Sequence, residues 1–519
     1  MTTLKTTTLC ALCLLLAKIS FSQEQPDTAV FAKIKAAELS SSQIPQIAHY
    51  LTDVSGPRLT NSAGYRRAAD WAIATFKKWG LTNSKLEPWG EFGKQWDLED
   101  FSLMMRLPYA TPLRAYACPW SANTDGVLKG SVVLIAPQQA MDTTYLISHA
   151  AEFKGKFILI TGRPLQTQDN FNPSATRLAD TSLANLKDNY MVKRSEIEQE
   201  LGQLKLIQQF DLILKRSGAL AVLSAGRRSA NGSVFVQAAY GYKLTDAQTL
   251  PQVNMALEDA QRIKRLIQSG QAVELSLNIQ GKFSTADTKG YNVVAEIPGS
   301  DPKLKSQVVM LGGHLDSWQA ATGAADNAAG CIVMMEAVRL LDSLGLKPKR
   351  TIRIALWGGE EQGLYGSYGY VKNHLIDALK MTPKPEQAKI SAYFNLDNGS
   401  GKIRGIYTQG NTALQPIFTE WLKPFHDLGA ATVTTSSTGS TDHVSFDWAG
   451  IPAFQFVQDP LDYETRVHHS NLDDYDHLIM DDLKQAAIIV ASFVYQTSIR
   501  PELLPRKPFK KEVFVFDGL

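Results

Sequence analysis

The sequence predicts an α/β protein with a mostly parallel, mixed sheet that is covered by helices on both faces. From Tyr291 onward, four short runs are almost continuously apolar, which is typical of strands buried on both sides. Segments with helical spacing separate these runs, and such alternation indicates crossover connections in a parallel sheet. The four predicted strands are 308–311, 351–357, 390–396 and 451–457.

The composition is that of a folded globular protein. The 519 residues are 44% hydrophobic and 20% charged, which excludes a disordered scaffold or a fibre. The formal charge of +2 argues against a nucleic-acid binder, which normally carries a strongly basic face. No apolar run reaches the roughly 18 residues of a transmembrane helix, so we expect no membrane span.

Residues 1–22 predict a cleavable signal peptide and therefore a secreted or periplasmic protein. Lys5 precedes a short apolar stretch at 9–16, and small residues follow in the pattern of a cleavage site. Removal takes two of the 53 basic residues, so 51 remain against 51 acidic residues. It also leaves two distant cysteines, Cys118 and Cys331, which we expect to be buried hydrophobic residues rather than a disulfide.

The middle of the chain has a different character from its two flanks. Helical patterns occur at 28–39 and 64–79, whereas short β-type runs dominate 108–284 around one helical stretch at 183–217. We interpret the middle part as a β-rich inserted domain without chemistry of its own. The predicted division is signal peptide 1–22, first part of the main domain 23–107, inserted domain 108–284, second part of the main domain 285–500, and a C-terminal surface extension 501–519.

Side chains that can bind metals follow the predicted strands of the main domain. Binding crevices of open α/β sheets lie outside the carboxyl ends of the strands, so these side chains are expected to converge. Asp326 is predicted to start a helix at 327–344. The other candidates, in the loops after the strands, are His314, Asp316, Glu360, Glu361, Asp397, His468 and His469.

Such a gathering of carboxylates is unfavourable unless cations compensate it. Each residue alone has an ordinary structural explanation; Asp326, for example, could be a helix N-cap. Their common position at strand ends favours a site for two divalent cations. Imidazole together with carboxylate is a ligand set that suits zinc.

Five ordered motifs resemble the dizinc exopeptidases, a family that includes secreted aminopeptidases and glutamate carboxypeptidases. The nearest resemblance is to the plasma glutamate carboxypeptidase group, also called carboxypeptidase Q-like enzymes. The segment SGPRLTNSAGYRRAADWA at 55–72 is similar to the opening of their catalytic domain, and the inserted part resembles a protease-associated domain. The motifs are GGHLDSWQAATGAADNAAG (312–330), LWGGEEQGLYGS (356–367), FNLDNGSG (394–401), GSTDHVSFDWAGIPAF (439–454) and HHSNLDDYDHL (468–478).

The resemblance implies two zinc ions per chain and a role for each candidate residue. It pairs His314 with Asp397 and Glu361 with His469 as ligands, and Asp326 bridges the two metals. Glu360 corresponds to the general base and Asp316 to the carboxylate that orients His314. His469 is preferred over its neighbour as ligand because Ser470 and Asp473 follow it, which leaves His468 as a hydrogen-bond donor near the oxyanion. Ser440, Thr441 and Asp442 correspond to substrate contacts, with a turn stabilised by Asp442 as the equal alternative.

The function implied is a secreted metallo-exopeptidase that hydrolyses terminal peptide bonds of peptides or dipeptides. Glu360 would activate a metal-bridging water for attack on the peptide carbonyl. We favour a substrate with a free amino terminus over carboxy-terminal specificity, which is the alternative. A homodimer is a possible oligomeric state.

Two alternatives share the fold. One is a glutaminyl-cyclase-type enzyme with a single zinc, and the other is a non-enzymatic, receptor-like binding protein. A serine hydrolase lacks support because the sequence has no Gly-x-Ser-x-Gly elbow. The segment NGSGK at 398–402 lacks the spacing of a phosphate-binding loop.

Overall fold

The computed structural model describes residues 24–162, 173–189, 194–238 and 240–509. The predicted signal peptide and the last ten residues of the predicted extension lie outside these ranges. Two eight-stranded sheets organise the described chain. The first sheet has the strand order β1-β10-β12-β11-β15-β18-β16-β17, and the second has the order β3-β2-β9-β5-β6-β7-β8-β4.

The strands and helices have the following bounds. The strands of the first sheet are β1 (Thr82–Glu91), β10 (Lys289–Ile297), β11 (Val308–His314), β12 (Thr351–Trp357), β15 (Ile390–Asn395), β16 (Ile403–Tyr407), β17 (Thr432–Thr434) and β18 (Ala453–Gln458). Those of the second sheet are β2 (Gln95–Leu107), β3 (Thr111–Pro112), β4 (Ala115–Ala117), β5 (Leu128–Ile135), β6 (Phe157–Thr161), β7 (Ala221–Ala225), β8 (Gln252–Met255) and β9 (Glu274–Ser284), and a hairpin pairs β13 (Ile376–Asp377) with β14 (Thr382–Pro383). The α-helices are α1 (Thr28–Ser41), α2 (Ile44–His49), α3 (Ala63–Lys78), α4 (Pro137–Ala140), α5 (Thr143–Ser148), α6 (Ala150–Phe153), α7 (Asp180–Ala184), α8 (Arg194–Arg216), α9 (Leu257–Gln268), α10 (Ala329–Ser343), α11 (Tyr365–Tyr370), α12 (Gln415–Leu422), α13 (His443–Trp448) and α14 (Met480–Ile499).

The centre of the first sheet is parallel, and the strand on each side of this centre pairs with it in the antiparallel direction. Strands β12, β11, β15 and β18 are neighbours that run in the same direction, and they are the four strands predicted from the apolar runs. Strands β10 and β16 pair with them in the opposite direction. The predicted α/β class with a mostly parallel, mixed sheet is therefore confirmed.

Strand β11 shows why these runs are continuously apolar. Val309 and Leu311 pack into the core that α10 and α14 cover, while Val308 and Met310 pack into the opposite core beside α11 and α13. Successive side chains of a strand point to opposite faces, so a strand with helices on both sides has no polar positions. Each buried residue of this size contributes about 1.5–3 kcal/mol.

The second sheet begins earlier in the chain than predicted. Strand β2 pairs with β9 along its length, so residues 95–107 belong to the second sheet rather than to the first part of the main domain. Strand β9 ends at Ser284, the last residue of the predicted insertion. We call residues 95–284 the second-sheet domain.

The helix predicted at 327–344 begins later, at Ala329. Asp326 and Asn327 have non-helical backbone angles, and the N–H groups of Ala325 and Asp326 donate to the Asp473 carboxylate, at 2.6 and 3.0 Å. The side chain of Asn327, not that of Asp326, accepts from the N–H of Gly330 at 2.9 Å. The Asp326 carboxylate is thereby left for other partners.

The predicted C-terminal extension is anchored to the main domain as far as residue 509. Leu504 is buried, Arg506 donates to the carbonyl oxygens of Gln387 and Ile390, and Lys507 pairs with Asp447 at 2.5 Å. The two remaining cysteines, Cys118 and Cys331, are buried and free, which confirms that prediction. None of the helices in the described ranges has the length and apolar character needed to span a lipid bilayer.

A fully buried arginine, Arg58, fixes the loop that follows β11. Its guanidinium donates to the carbonyl oxygen of Leu315 at 2.6 Å, at the start of this loop. It also donates to the carbonyl oxygens of Thr322 at 2.5 Å and Gly323 at 2.8 Å, at the end of the loop. A fourth bond reaches the carbonyl oxygen of Leu51 at 2.8 Å. The loop lies between His314 and Asp326, so Arg58 determines how far apart these two residues are held.

We expect Arg58→Lys to destabilise the protein by about 2–4 kcal/mol, because an ammonium group cannot replace four bonds made in diverging directions. Urea unfolding followed by tryptophan fluorescence measures the change. Arg67→Lys is the matched control, since exposed Arg67 bonds only one carbonyl oxygen, that of Ser55. Equal effects of the two substitutions would contradict the role given to Arg58.

Glu38 on α1 is buried against Glu336 on α10. Burial and then the Glu336 carboxyl raise the pKa of Glu38 to about 8, from an ordinary value of 4.5. The folded protein therefore retains a proton that the unfolded chain releases, so stability falls as pH rises from 4.5 to 8. We expect Glu38→Gln to remove this loss and to raise the melting temperature at pH 8 but not at pH 4.5. Scanning calorimetry at both pH values measures the melting temperatures, with exposed Glu152→Gln as control. If the melting temperatures of wild type and Glu38→Gln change in parallel with pH, the role given to Glu38 is wrong.

Candidate metal centre

The parallel strands deliver the predicted residues to one edge of the first sheet. His314 is the last residue of β11 and lies beside Trp357, the last residue of β12. Gly312 of β11 lies beside Asn395 of β15, so Asp397 follows at the same edge. This register, rather than proximity along the chain, brings the candidate ligands together.

Two glycines turn the chain sharply after β12. Gly359 has a left-handed φ of 81°, and a Cβ atom on Gly358 would lie 2.4 Å from the carbonyl oxygen of Tyr291. Glycine suits both positions, because it tolerates the positive φ at 359 and has no Cβ atom to clash at 358. The turn places Glu360 and Glu361 at the edge where His314 ends its strand.

One half of the site is centred on His314. Its Nε2 lies 3.2 Å from Asp397 Oδ1, 3.4 Å from Asp326 Oδ1 and 3.8 Å from Glu360 Oε2. The His314 ring is 1% exposed, so these contacts are shielded from water. Burial lowers the pKa of His314, but the charges of Asp397 and Glu360 raise it well above its ordinary value.

The other half is centred on His469. Its Nε2 lies 2.9 Å from Glu361 Oε2 and 3.4 Å from Asp326 Oδ2. Burial lowers the pKa of His469 to about 4, so the imidazole is neutral at neutral pH. Asp326 therefore presents one carboxylate oxygen to each histidine and joins the two halves.

The five residues predicted as metal ligands thus lie in one cluster. Their grouping matches the pairing implied by the resemblance, with Asp397 beside His314 and Glu361 beside His469. Three overlapping groups of three residues each place candidate ligand atoms within 4.8 Å of one another. The groups are His314, Asp326 and Glu361; His314, Glu360 and Asp397; and Asp326, His468 and His469.

Burial and mutual repulsion act on the acids of this cluster. Burial is the largest cause that raises the pKa of Glu360 and of Glu361 well above the ordinary value, and neighbouring carboxylates add to it. Burial also raises the pKa of Asp326, but the histidines around it outweigh this and hold it below its ordinary range. Asp326 Oδ2, Glu361 Oε1 and His469 Nδ1 are buried and have no hydrogen-bond partner among the described residues. Buried polar atoms are normally satisfied, so these atoms fit a site that binds a cation.

Asp316 differs in detail from the predicted orienting carboxylate. His314 Nδ1 lies 3.0 Å from the carbonyl oxygen of Asp316 but 3.7 Å from its carboxylate. The carboxylate instead accepts from the N–H groups of Glu360 and Glu361, each at 3.2 Å, and from the hydroxyl of Thr60 at 2.8 Å. Asp316 therefore holds the Glu360-Glu361 turn with its side chain and His314 with its backbone.

The predicted substrate contacts are largely inaccessible. Asp442 is 0% exposed and Thr441 is 2% exposed, with its hydroxyl bound by the Asn395 side chain at 2.9 Å. Ser440 is exposed and has a left-handed φ of 61°. Within the described residues, neither carboxylate oxygen of Asp442 has a hydrogen-bond partner at normal bonding distance, which leaves the alternative of a stabilised turn without support.

No motif in the sequence indicates that the second-sheet domain reaches the site. Its Val236 N–H donates to the carbonyl oxygen of His469 at 2.8 Å, and Phe235 pairs with Ser470 as a β-bridge. The Tyr242 hydroxyl lies 3.1 Å from that of Tyr365, in the helix after the Glu360-Glu361 turn. A cavity of about 230 Å³ beside His468 is lined by both domains, including Arg228 and Glu464.

Comparisons with known proteins agree with this geometry. Residues 292–494 match the sequence model of "Peptidase family M28". Human carboxypeptidase Q is 31% identical over 257 residues, which are 50% of this chain and 52% of that protein. Leupeptin-inactivating enzyme 1 of Streptomyces exfoliatus is 35% identical over 172 residues, which are 33% of this chain and 36% of that enzyme. The chain matches about half the length of its carboxypeptidase Q relatives.

Solved structures share the fold over most of the chain. A peptidase M28 precursor from Shewanella amazonensis superimposes with a TM-score of 0.67 at 24% identity, covering 92% of this chain and 98% of that one. A zinc aminopeptidase from Bacillus subtilis gives a TM-score of 0.54 at 20% identity, covering 89% and 98%. Residues 292–494, the segment that matches the model of peptidase family M28, contain every predicted metal ligand.

Proposed function

We propose that this protein is a secreted exopeptidase that binds two zinc ions and hydrolyses terminal peptide bonds of peptides or dipeptides. The observation that carries the proposal is the position of Asp326, which offers one carboxylate oxygen to the His314 half and the other to the His469 half. Relatives described as carboxypeptidase Q and as leucine aminopeptidase support a terminal peptide bond as substrate.

The residues of the cluster fit zinc. Two imidazoles and three carboxylates make up the set, and zinc prefers nitrogen and oxygen donors of these kinds. The unsatisfied oxygens of Asp326 and Glu361 offer lone pairs to such an ion. Bound zinc would polarise a peptide carbonyl and lower the pKa of water.

Glu360 is suited to move protons in this setting. Its backbone is tied to Asp316, while its carboxyl group lies 3.8 Å from His314 Nε2 without being directed at His469. Burial holds its pKa well above the ordinary value, which brings a carboxyl group towards the range in which it exchanges protons at neutral pH. The adjacent Glu361 points to His469, so the two neighbours divide proton transfer and metal binding.

We expect Glu360→Gln to lower kcat by about 10²–10⁴-fold, because a neutral amide cannot accept a proton, while the metal content stays unchanged. Mass spectrometry of a mixed peptide pool, with and without a chelator, measures terminal trimming and its dependence on metal. Exposed Glu152→Gln is the control. Full activity of Glu360→Gln would overturn the assignment of the base, and absence of trimming by the metal-loaded wild type would overturn the proposed function.

Removal of a ligand provides an independent test. We expect His314→Ala to lose zinc, because the carboxylates around it then lack the imidazole that shares the ion. Metal analysis of the purified protein should find two ions per chain in the wild type and in the exposed control His49→Ala. Two ions in His314→Ala would exclude it as ligand, and a single ion in the wild type would favour the glutaminyl-cyclase-type alternative.

A further inference from the structure

The second-sheet domain contributes one cation that contacts a histidine of the site. Arg228 Nη2 lies 2.5 Å from His468 Nδ1 and 3.4 Å from the carbonyl oxygen of His468. Arg228 lies outside residues 292–494, the segment that matches the family. Its role therefore depends on this chain's own tertiary structure.

The chemistry of arginine determines the tautomer of His468. A guanidinium group carries only donors, so Nδ1 must accept the hydrogen bond and the ring proton must lie on Nε2. The nearest carboxylate oxygen to Nδ1, Glu464 Oε2, is 3.6 Å away, which is too long for a competing hydrogen bond. The Nε2–H group lies on the side of the metal cluster, 3.7 Å from Asp326 Oδ2.

Arg228 is itself held in place. Its guanidinium carbon lies 4.0 Å from the centre of the Phe235 ring, over which it stacks. Phe235 forms the β-bridge with Ser470, and the neighbouring Val234 N–H donates to the Asn471 side chain at 2.5 Å. The segment that carries Arg228 and the segment that carries His468 are therefore aligned by backbone pairing.

We propose that Arg228 is a positioning residue, which holds His468 with its proton on Nε2 as a donor towards the cluster. An Nε2 that carries a proton has no lone pair for a metal, so the same contact removes His468 from the ligand set through this atom. His469 differs, because its Nδ1 has no partner among the described residues and its Nε2 faces Glu361 and Asp326.

The consequence for catalysis rests on the proposed function. An Nε2–H donor beside the cluster can bind the carbonyl oxygen of the substrate as negative charge develops on it. Such a bond is stronger in the transition state than in the ground state, so its loss acts on kcat more than on KM.

The tautomer can be measured without turnover. Two-bond ¹H–¹⁵N spectra of the full chain, labelled with ¹⁵N-histidine and loaded with zinc, report which ring nitrogen is protonated. The chain has nine histidines, and His468→Ala identifies the signals of His468. We expect the proton on Nε2 in the wild type and a mixture of tautomers in Arg228→Met, which keeps the length of the side chain but not its donors. Arg228→Lys keeps a donor and should restore the Nε2 form.

Kinetics of the same variants test the catalytic consequence. We expect kcat for an unblocked dipeptide to fall about 10- to 100-fold in Arg228→Met, since removal of a whole oxyanion donor costs about 10²–10³-fold. KM should change less than about twofold, and Arg228→Lys should recover most of the activity. Exposed Arg216→Met, at the end of α8 in the same domain, is the matched control.

Several outcomes would overturn the proposal. A proton on Nδ1 of His468 in the wild type would remove its basis, whatever the activity. Zinc loss in His468→Ala but not in His469→Ala would show that His468, and not His469, is the metal ligand. Arg228→Met could instead raise KM alone, and only for a dipeptide with a free carboxylate and not for the dipeptide amide. That result would make Arg228 an anchor for the substrate carboxylate. An inactive wild type with an Nε2 proton would contradict the proposed function but leave the positioning role supported.

Discussion

The collection of carboxylates at one buried edge of a parallel sheet is the constraint on which the rest of this structure depends. Asp316, Asp326, Glu360, Glu361 and Asp397 lie where water is largely excluded. Burial of like charges raises the pKa of both glutamates and makes the arrangement costly. Two histidines within the cluster offset part of that cost, and the buried atoms without partners indicate that a cation offsets the rest.

Polar contacts hold the loops that carry these acids, in addition to the packing of Leu315 and Ala324 in the core. Arg58 binds both ends of the loop after β11, Asp473 binds the backbone at Asp326, and Asp316 binds the turn at Glu360 and Glu361. Backbone groups in irregular loops need partners when they are buried, and charged side chains form the strongest such bonds. The geometry of the candidate ligands is therefore set by Arg58, Asp473 and Asp316, which are not themselves predicted metal ligands.

The second-sheet domain is part of the site and not only a neighbour of it. Backbone pairing of Val234–Val236 with the chain around His469, together with the contact of Arg228 with His468, joins it to the cluster. The sequence of this domain shows no motif of its own, which by itself predicts a domain without chemistry. The proposed positioning role would give it an influence on turnover through one hydrogen bond.

The sequence by itself determined the α/β class, the position of the four central strands along the chain and the identity of the clustered residues, because burial on both faces leaves a continuous apolar run and each run ends at a recognisable motif. Tertiary structure alone decided that Asp326 lies between two histidines, that the helix after it begins at Ala329, and that Arg58 and Arg228 support the site. These contacts join residues that are far apart in the chain; Arg228 and His468, for example, are 240 positions apart. A single arginine that bonds carbonyl oxygens or one ring nitrogen leaves no periodic signal, so only the folded chain shows which arginine does so.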